Sequence, residues 1–294
     1  MAALVVAVLA VSSSAPLIAY AAAPALAVAF WRNALATLAL TPVTAGPRRA
    51  ELRGAGRRDL WYCVLAGGAL AAHFGTWMPS VQLGSVATAT ALVATQPVWQ
   101  GLIAARQGRR PSAPAWAGIA LAVAGAIWAT GADVRVSGRA VVADVLAVLG
   151  GIAAAVYTAL GERARTRLST TTYTWICYGV CAVVLLIVCL AVRAELFRYA
   201  GSTWAAILAL AAGAQLLGHS MFNYALHRTS ATTVSVLILL ETPGAAFLAW
   251  AWLGQVPRVA ALPGIALLLA GVAVVIIGNA RTRPAVVSPP SITP

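Results

Sequence analysis

Two ionisable residues lie in the middle of long apolar stretches, where a charge is expensive. Arg32 falls within the apolar span 25–40, and Glu241 falls within the apolar span 232–253. A charged side chain near the centre of a membrane helix costs about 3 kcal/mol or more, so such residues are candidates for function. The sequence leaves two interpretations open: a structural ion pair between Arg32 and Glu241, or a site for a substrate or a proton.

Two histidines are each followed, four residues later, by a side chain that could contact a ligand. His73 precedes Trp77 and His219 precedes Asn223, and residues at this spacing share one face of a helix. Each histidine could instead bond a neighbouring carbonyl and pack two helices together. The equivalence of the two pairs favours a shared cavity. The predicted substrate-binding residues are Arg32, His73, Trp77, His219, Asn223 and Glu241.

Two prolines, Pro97 and Pro243, also lie inside apolar spans. Proline removes one backbone hydrogen bond and permits a helix to bend. We predict that both are kinks that help gating, and simple tolerance of proline in membrane helices is the alternative.

The four cysteines are interpreted as packing residues, because all of them fall inside apolar spans. Cys177 and Cys181 share a helix face, but no histidine or acidic residue lies near them in the sequence. The sequence therefore predicts no metal site, no cofactor and no catalytic residue.

The elements that must position these residues are apolar spans of the length that crosses a bilayer, about 20 residues. Hydrophobic residues make up 61% of the chain and charged residues only 9%, whereas soluble domains carry about 25% charged residues. The spans are continuously apolar rather than alternating, which predicts helices. The ten spans are 3–20, 25–40, 60–81, 86–105, 114–130, 141–160, 172–192, 203–226, 232–253 and 260–278.

An internal repeat is visible in the residues themselves. A shift of 146 positions superimposes, without a gap, His73 on His219, Pro97 on Pro243, Gly108 on Gly254, Pro111 on Pro257, and Gly118–Leu121 on Gly264–Leu267. Chance similarity of alanine-rich and leucine-rich sequence does not explain histidine, proline and glycine in one register, so the chain is a duplication. The glycines that we expect to allow close helix packing are Gly118, Gly125, Gly264 and Gly271.

Each repeat holds five spans, an odd number, so the second repeat must enter the membrane from the opposite side. With a cytoplasmic N-terminus, fourteen arginines fall in inner connections and five in outer ones. Positive charge favours the cytoplasmic side, so both termini are predicted to be cytoplasmic. The predicted fold is all-α, with ten transmembrane helices in two inverted five-helix repeats.

The predicted organisation is a first repeat over 1–131, a linker over 132–140, a second repeat over 141–279 and a disordered cytoplasmic tail over 280–294. The net charge of +13 comes from arginines, since the chain has no lysine, and nearly all of them lie in short gaps between spans. That distribution indicates topology and contact with anionic lipid rather than a nucleic-acid partner. We expect a multi-pass protein of the plasma membrane, from a bacterium, and homodimerisation is left open.

Several motifs together resemble the EamA-type branch of the drug/metabolite transporter superfamily over nearly the whole chain. They are Phe30-Trp31-Arg32, His73-Phe74-Gly75-Thr76-Trp77, Thr95-Gln96-Pro97, Gly218-His219-Ser220-Met221-Phe222-Asn223 and Glu241-Thr242-Pro243-Gly244-Ala245. The resemblance implies ten helices, two EamA repeats and transport of small organic metabolites. The chain departs from many members at Arg106 and Gln255, where those members carry an acidic residue.

These observations predict a secondary transporter that moves a small amino-acid-like or drug-like compound, with efflux as the favoured direction, by alternating access. A channel or a structural membrane subunit is the alternative. A membrane-embedded enzyme is disfavoured, because it needs convergent carboxylates, metal ligands or a nucleophile with its base.

Overall fold

A computed structural model of the chain describes residues 2–84, 86–130, 138–253 and 259–281. This part of the chain is helical and contains no strand. The helices are α1 (Ala2–Ser12), α2 (Ser14–Tyr20), α3 (Ala25–Ala45), α4 (Arg49–Gly54), α5 (Arg57–Leu83), α6 (Val86–Val93), α7 (Gln96–Arg106), α8 (Ala113–Thr130), α9 (Gly138–Ala164), α10 (Thr170–Ala191), α11 (Gly201–Ala209), α12 (Ser220–Ala225), α13 (Ala231–Ile238), α14 (Glu241–Leu253) and α15 (Leu262–Arg281). A π-helical stretch, Leu210–His219, joins α11 to α12, and a short 3-10 turn, Val259–Ala261, precedes α15.

Local sequence explains where several helices begin. Ser169 precedes α10, and its side-chain oxygen accepts a hydrogen bond from the backbone N–H of Thr172. Ser230 does the same for Thr233 at the start of α13. Each serine satisfies one of the donors that a helix start leaves free, so both helices begin at a defined residue.

Each predicted span coincides with one helix or with consecutive helical segments. Among the described residues, four helices are long and apolar enough to cross a membrane: Ala25–Ala45, Gly138–Ala164, Thr170–Ala191 and the continuous helix Gly201–Ala225. The first, fourth and ninth spans are divided into shorter segments, so the total of ten transmembrane helices stays a prediction. Most of the predicted linker and all but the first two residues of the predicted tail lie outside the described residues.

Four connections between helices meet at one end of the bundle. Glu51, between α3 and α5, accepts a hydrogen bond from the backbone N–H of Ser169, between α9 and α10 (2.5 Å). Arg109, between α7 and α8, forms an ion pair with Glu162 of α9 (2.7 Å). Glu162 also accepts a hydrogen bond from the N–H of Ala231, where α13 begins (3.1 Å). Most of the arginines lie in these connections, and we call this the arginine-rich end.

The intervening connections lie at the opposite end. Gln82, near the end of α5, bonds both the carbonyl of Ala23 (3.0 Å) and the N–H of Ala25 (3.1 Å), which flank the start of α3. Trp128, near the end of α8, donates its indole N–H to the carbonyl of Ala260, just before α15 (3.0 Å). Successive connections therefore alternate between the two ends, as expected of helices that cross in alternating directions.

The helices α8 and α15 pack so closely that their glycines touch the opposing backbone. A Cβ atom added to Gly125 would lie 2.3 Å from the backbone nitrogen of Leu268, and one added to Gly271 would lie 2.4 Å from that of Ala122. These two contacts are equivalent under the shift of 146 positions. A pseudo-twofold axis therefore passes between α8 and α15, and the predicted role in close packing is confirmed for Gly118, Gly125 and Gly271.

Candidate functional site

A cavity lies between the two repeats, with about 900 Å³ of space that includes some open solvent. Most of its wall is apolar, and both repeats contribute polar side chains to it. The polar and aromatic residues that line it are Ser14, His73, Trp77, Thr90, Gln96, Tyr157, Thr158, His219, Phe222, Asn223, Glu241 and Thr242. An apolar cavity with a few convergent polar groups is the usual form of a small-molecule site.

Five of the six residues predicted to bind substrate line this one cavity: His73, Trp77, His219, Asn223 and Glu241. The sixth, Arg32, lies behind the wall and is completely buried. The structure thus brings together residues that are up to 168 positions apart in the sequence. Their role in binding substrate stays a prediction.

His73 both packs helices and faces the cavity, so the two interpretations of this residue coexist. Its Nδ1 lies 2.9 Å from the carbonyl oxygen of Gly150 in α9. Because a carbonyl only accepts, Nδ1 carries the hydrogen, and the ring is held in one orientation. The ring stacks on Trp77, with centroids 5.7 Å apart and planes 7° apart. The pair therefore presents a fixed aromatic surface.

The second pair, His219 and Asn223, is held in place by Tyr157, a residue that was not predicted from the sequence. Asn223 donates its side-chain N–H to the hydroxyl of Tyr157 in α9 (2.5 Å) and to the carbonyl of His219 (2.8 Å). The ring of His219 contacts Phe74 edge-on, with centroids 5.5 Å apart. Val11 is the repeat equivalent of Tyr157, so a search for polar residues matched between the repeats does not identify this tyrosine.

Arg32 is bound by neutral side chains rather than by a carboxylate. Its Nε donates to Oε1 of Gln215 (2.9 Å), and Nη1 donates to the hydroxyl of Ser14 (3.4 Å). The guanidinium carbon lies 4.3 Å above the ring centre of Phe74. Gln215 also donates to the side-chain oxygen of Asn33 (2.9 Å), so the guanidinium belongs to a small buried network.

The structural ion pair between Arg32 and Glu241, one of the two interpretations left open by the sequence, is not formed. The ion pairs among the described residues join Arg48 to Glu51, Arg109 to Glu162 and Arg167 to Asp59. Gln215 and Ser14 occupy the positions next to the guanidinium, while Glu241 lines the cavity. The two charges still interact through space.

The fourth and ninth spans are interrupted just before their prolines. Helix α6 ends at Val93 and α7 begins at Gln96, while α13 ends at Ile238 and α14 begins at Glu241. Proline donates no hydrogen bond, so Pro97 and Pro243 leave the carbonyls four residues earlier without their usual donor. The breaks lie at nearly equivalent positions of the two repeats, and their role in gating stays a prediction.

We expect the network around Arg32 to behave as a unit. Gln215→Leu removes the acceptor of the Arg32 Nε and leaves a buried guanidinium poorly solvated. This should lower the free energy of unfolding by about 3 kcal/mol. Arg32→Met should also destabilise, but the double variant Arg32→Met/Gln215→Leu should be more stable than the sum of the two losses predicts. Thermal unfolding of the purified variants measures this. Strictly additive losses of stability in the double variant would contradict the hydrogen bond between Arg32 and Gln215.

The chain was compared with curated proteins and with solved structures. No curated protein matches the chain at a significant level. Among solved structures, 29 chains match, and one of them, described only as a crystal structure of a protein, has a TM-score of 0.76 and 19% identity. That alignment covers 94% of this chain and 98% of the other, and at this identity the likeness concerns the fold alone.

The model of the EamA-like transporter family matches residues 1–131 and again residues 141–277. The two matches cover most of the chain and correspond to its two repeats. Members of this family are membrane transporters rather than enzymes. The chain therefore belongs to the EamA-like transporter family and is a multi-pass membrane protein.

Proposed function

We propose that the chain is a secondary transporter that moves a small organic metabolite, amino-acid-like or drug-like, out of the cell by alternating access. The observation that carries this proposal is the cavity between the repeats, into which five residues from both halves converge. Two related halves around one site can exchange conformations, which converts a cavity open to one side into a cavity open to the other.

Two features of the bundle support movement around this cavity. The helix breaks before Pro97 and Pro243 place short, separable segments beside it. At the arginine-rich end, the Arg109–Glu162 ion pair and the Glu162–Ala231 hydrogen bond tie α9 of the second repeat to the first repeat and to α13. These contacts must break if the cavity is to open at that end.

At the arginine-rich end, the hydrogen bond from the backbone N–H of Ser169 to Glu51 depends on a charged carboxylate. Partial burial raises the pKa of Glu51, but hydrogen bonds from Ser169 and Arg48 outweigh it and hold the pKa below its usual value. A carboxylate whose pKa is lowered on folding stabilises the protein above its unfolded pKa, and this stabilisation is lost as the pH falls through the folded pKa. The contact between Glu51 and Ser169 is therefore at full strength at neutral pH.

The orientation follows from charge. The arginine-rich end faces the cytoplasm in this proposal, because positive residues are retained on that side during insertion. Both termini are then cytoplasmic, and the membrane is the bacterial plasma membrane. The arginines of that end also lie where anionic lipid headgroups can contact them.

Reporter fusions test this orientation. A fusion after Arg53 should be active as green fluorescent protein and inactive as alkaline phosphatase, because it ends in the cytoplasm. A fusion after Arg193 should give the opposite result. A matched control uses the same two reporters at the N-terminus. If both internal fusions report the same side, the alternation of the connections is wrong.

Untargeted metabolite profiling tests the function. Cells that overproduce the protein should accumulate at least one small metabolite in the medium, and cells that lack it should retain that metabolite. Cells that overproduce a misfolded variant serve as the control for membrane stress. Equal extracellular profiles in all of these cells would contradict efflux.

A further inference from the structure

Two hydrogen-bond donors in the cavity wall have no partner. The indole N–H of Trp77 and the hydroxyl of Thr90 are both buried, and neither contacts an acceptor. Trp77 is only 5% exposed. Other threonines of this chain, such as Thr76 and Thr158, bond the carbonyl four residues earlier, so the unbonded state of Thr90 is unusual here. Both residues line the cavity, so a ligand that enters it is a source of the missing oxygen acceptor.

The described residues that line the cavity include an acidic side chain but no arginine. Glu241 is the one carboxylate among the described residues that line the cavity, and these lining residues include no arginine. The guanidinium of Arg32 is completely buried and does not line the cavity: its Nε is bound by Gln215 and its Nη1 by Ser14, while its Nη2 has no hydrogen-bond partner. A ligand in the cavity therefore contacts the carboxylate of Glu241 directly, whereas it makes no direct contact with the guanidinium.

Aromatic faces surround the same space. His73 stacks on Trp77, and the rings of Tyr157, His219 and Phe222 complete the lining. Such faces bind flat apolar groups and attract organic cations through the ring quadrupole. The other titratable groups that a charged ligand would meet among the described lining residues are His73, His219 and Tyr157.

We propose that the cavity selects a monocationic amine with a flat apolar body and an oxygen acceptor. The ammonium group binds the carboxylate of Glu241, and the oxygen accepts hydrogen bonds from Trp77 and Thr90. This assignment rests on the proposed transport function and names its substrate class. Trp77 and Thr90 belong to the first repeat and Glu241 to the second, so the bound amine bridges the two halves that must move relative to each other.

Four small probes with a common phenyl group separate the contributions. L-phenylalaninol carries an ammonium and a hydroxyl oxygen, phenethylamine carries only the ammonium, L-phenylalanine is a zwitterion, and N-acetyl-L-phenylalanine is an anion. Isothermal titration of the purified full-length protein in lipid nanodiscs should give phenylalaninol the highest affinity. Phenethylamine should bind roughly tenfold more weakly or worse, because it lacks the oxygen that accepts both hydrogen bonds, each of which contributes severalfold. Tighter binding of the zwitterion or the anion would overturn the assignment.

Matched variants test the two anchors separately. Thr90→Val keeps the shape of the wall and removes one donor, so it should weaken phenylalaninol severalfold and leave phenethylamine unchanged. Trp77→Phe removes the indole N–H and also reduces the ring that contacts the phenyl group, so it should weaken both amines and phenylalaninol by the larger factor. Thr76→Val, outside the cavity lining, should change neither affinity and reports on folding. Equal weakening of both amines by Trp77→Phe would overturn the role of its indole N–H.

The outcomes for this site and for transport can be told apart. If overproducing cells export a metabolite but neither amine binds, the substrate class is wrong and the transport function stands. If phenylalaninol binds as expected but no metabolite moves, the transport function is wrong and the binding site stands.

Discussion

Gly125→Ala and Gly271→Ala should each destabilise the protein by about 3 kcal/mol, the upper part of the range for overpacking a helix interface. The added Cβ atoms would lie 2.3 Å and 2.4 Å from backbone nitrogens of the opposing helix. A backbone atom cannot rotate away as a side chain can, so α8 and α15 must move apart along their contact. Thermal unfolding in detergent, followed by size-exclusion chromatography, measures the loss.

The symmetry of this contact gives a sharper test. Because one outward shift of α15 relieves both clashes, the double variant Gly125→Ala/Gly271→Ala should lose less stability than the sum of the single variants. Gly68→Ala in α5 is the matched control, since its Cβ would meet no atom within 4 Å. Gly68→Ala should leave stability unchanged or slightly raised, because alanine favours the helix. Destabilisation by Gly68→Ala equal to that at Gly125 would contradict the packing argument.

The repeat made much of the site predictable from sequence. His73 and His219 occupy one register, and a pseudo-twofold axis brings equivalent residues towards a common centre. The structure accordingly places both histidines, Trp77 and Asn223 at one cavity. The same register anticipates the helix breaks near Pro97 and Pro243. Duplication therefore supplied information about long-range contacts that a single sequence otherwise lacks.

The partner of Arg32 could not be predicted in this way. Charge alone favours Glu241, but the neighbours of a buried guanidinium depend on where the backbone places neutral donors and acceptors. Gln215 lies in the π-helical stretch Leu210–His219, whose wider turn changes which side chains face α3. No residue in that stretch marks it as π-helical, so the face it presents could not be read from a regular helical period.

The number of transmembrane helices was also less certain than the apolar spans suggested. The fourth span is divided at Ala94-Thr95 and the ninth at Leu239-Leu240, so neither forms one long helix. A count based on hydropathy records apolar length and does not register a break that proline and neighbouring turns produce. The breaks lie beside the cavity, where irregular backbone is tolerated because it does not face lipid.

Glu241→Gln should reduce export of the transported metabolite roughly tenfold or more, the value of one charge-assisted contact. Glutamine keeps the shape of the side chain and removes the one carboxyl group among the described residues that line the cavity. The protein should still fold, because Arg32 holds its own partners in Gln215 and Ser14 and does not depend on a direct contact with Glu241.

The measurement is the extracellular accumulation of the metabolite that profiling identifies, normalised to the amount of protein in the membrane. Glu195→Gln is the matched control, since this carboxylate lies in the exposed connection between α10 and α11 and should tolerate the change. Glu241→Asp should retain part of the activity, because it keeps the charge but withdraws it from the ligand. Full export by Glu241→Gln at normal abundance would show that the carboxylate takes no part in transport, and the centre of the site would then have to be sought among the first-repeat residues His73 and Trp77.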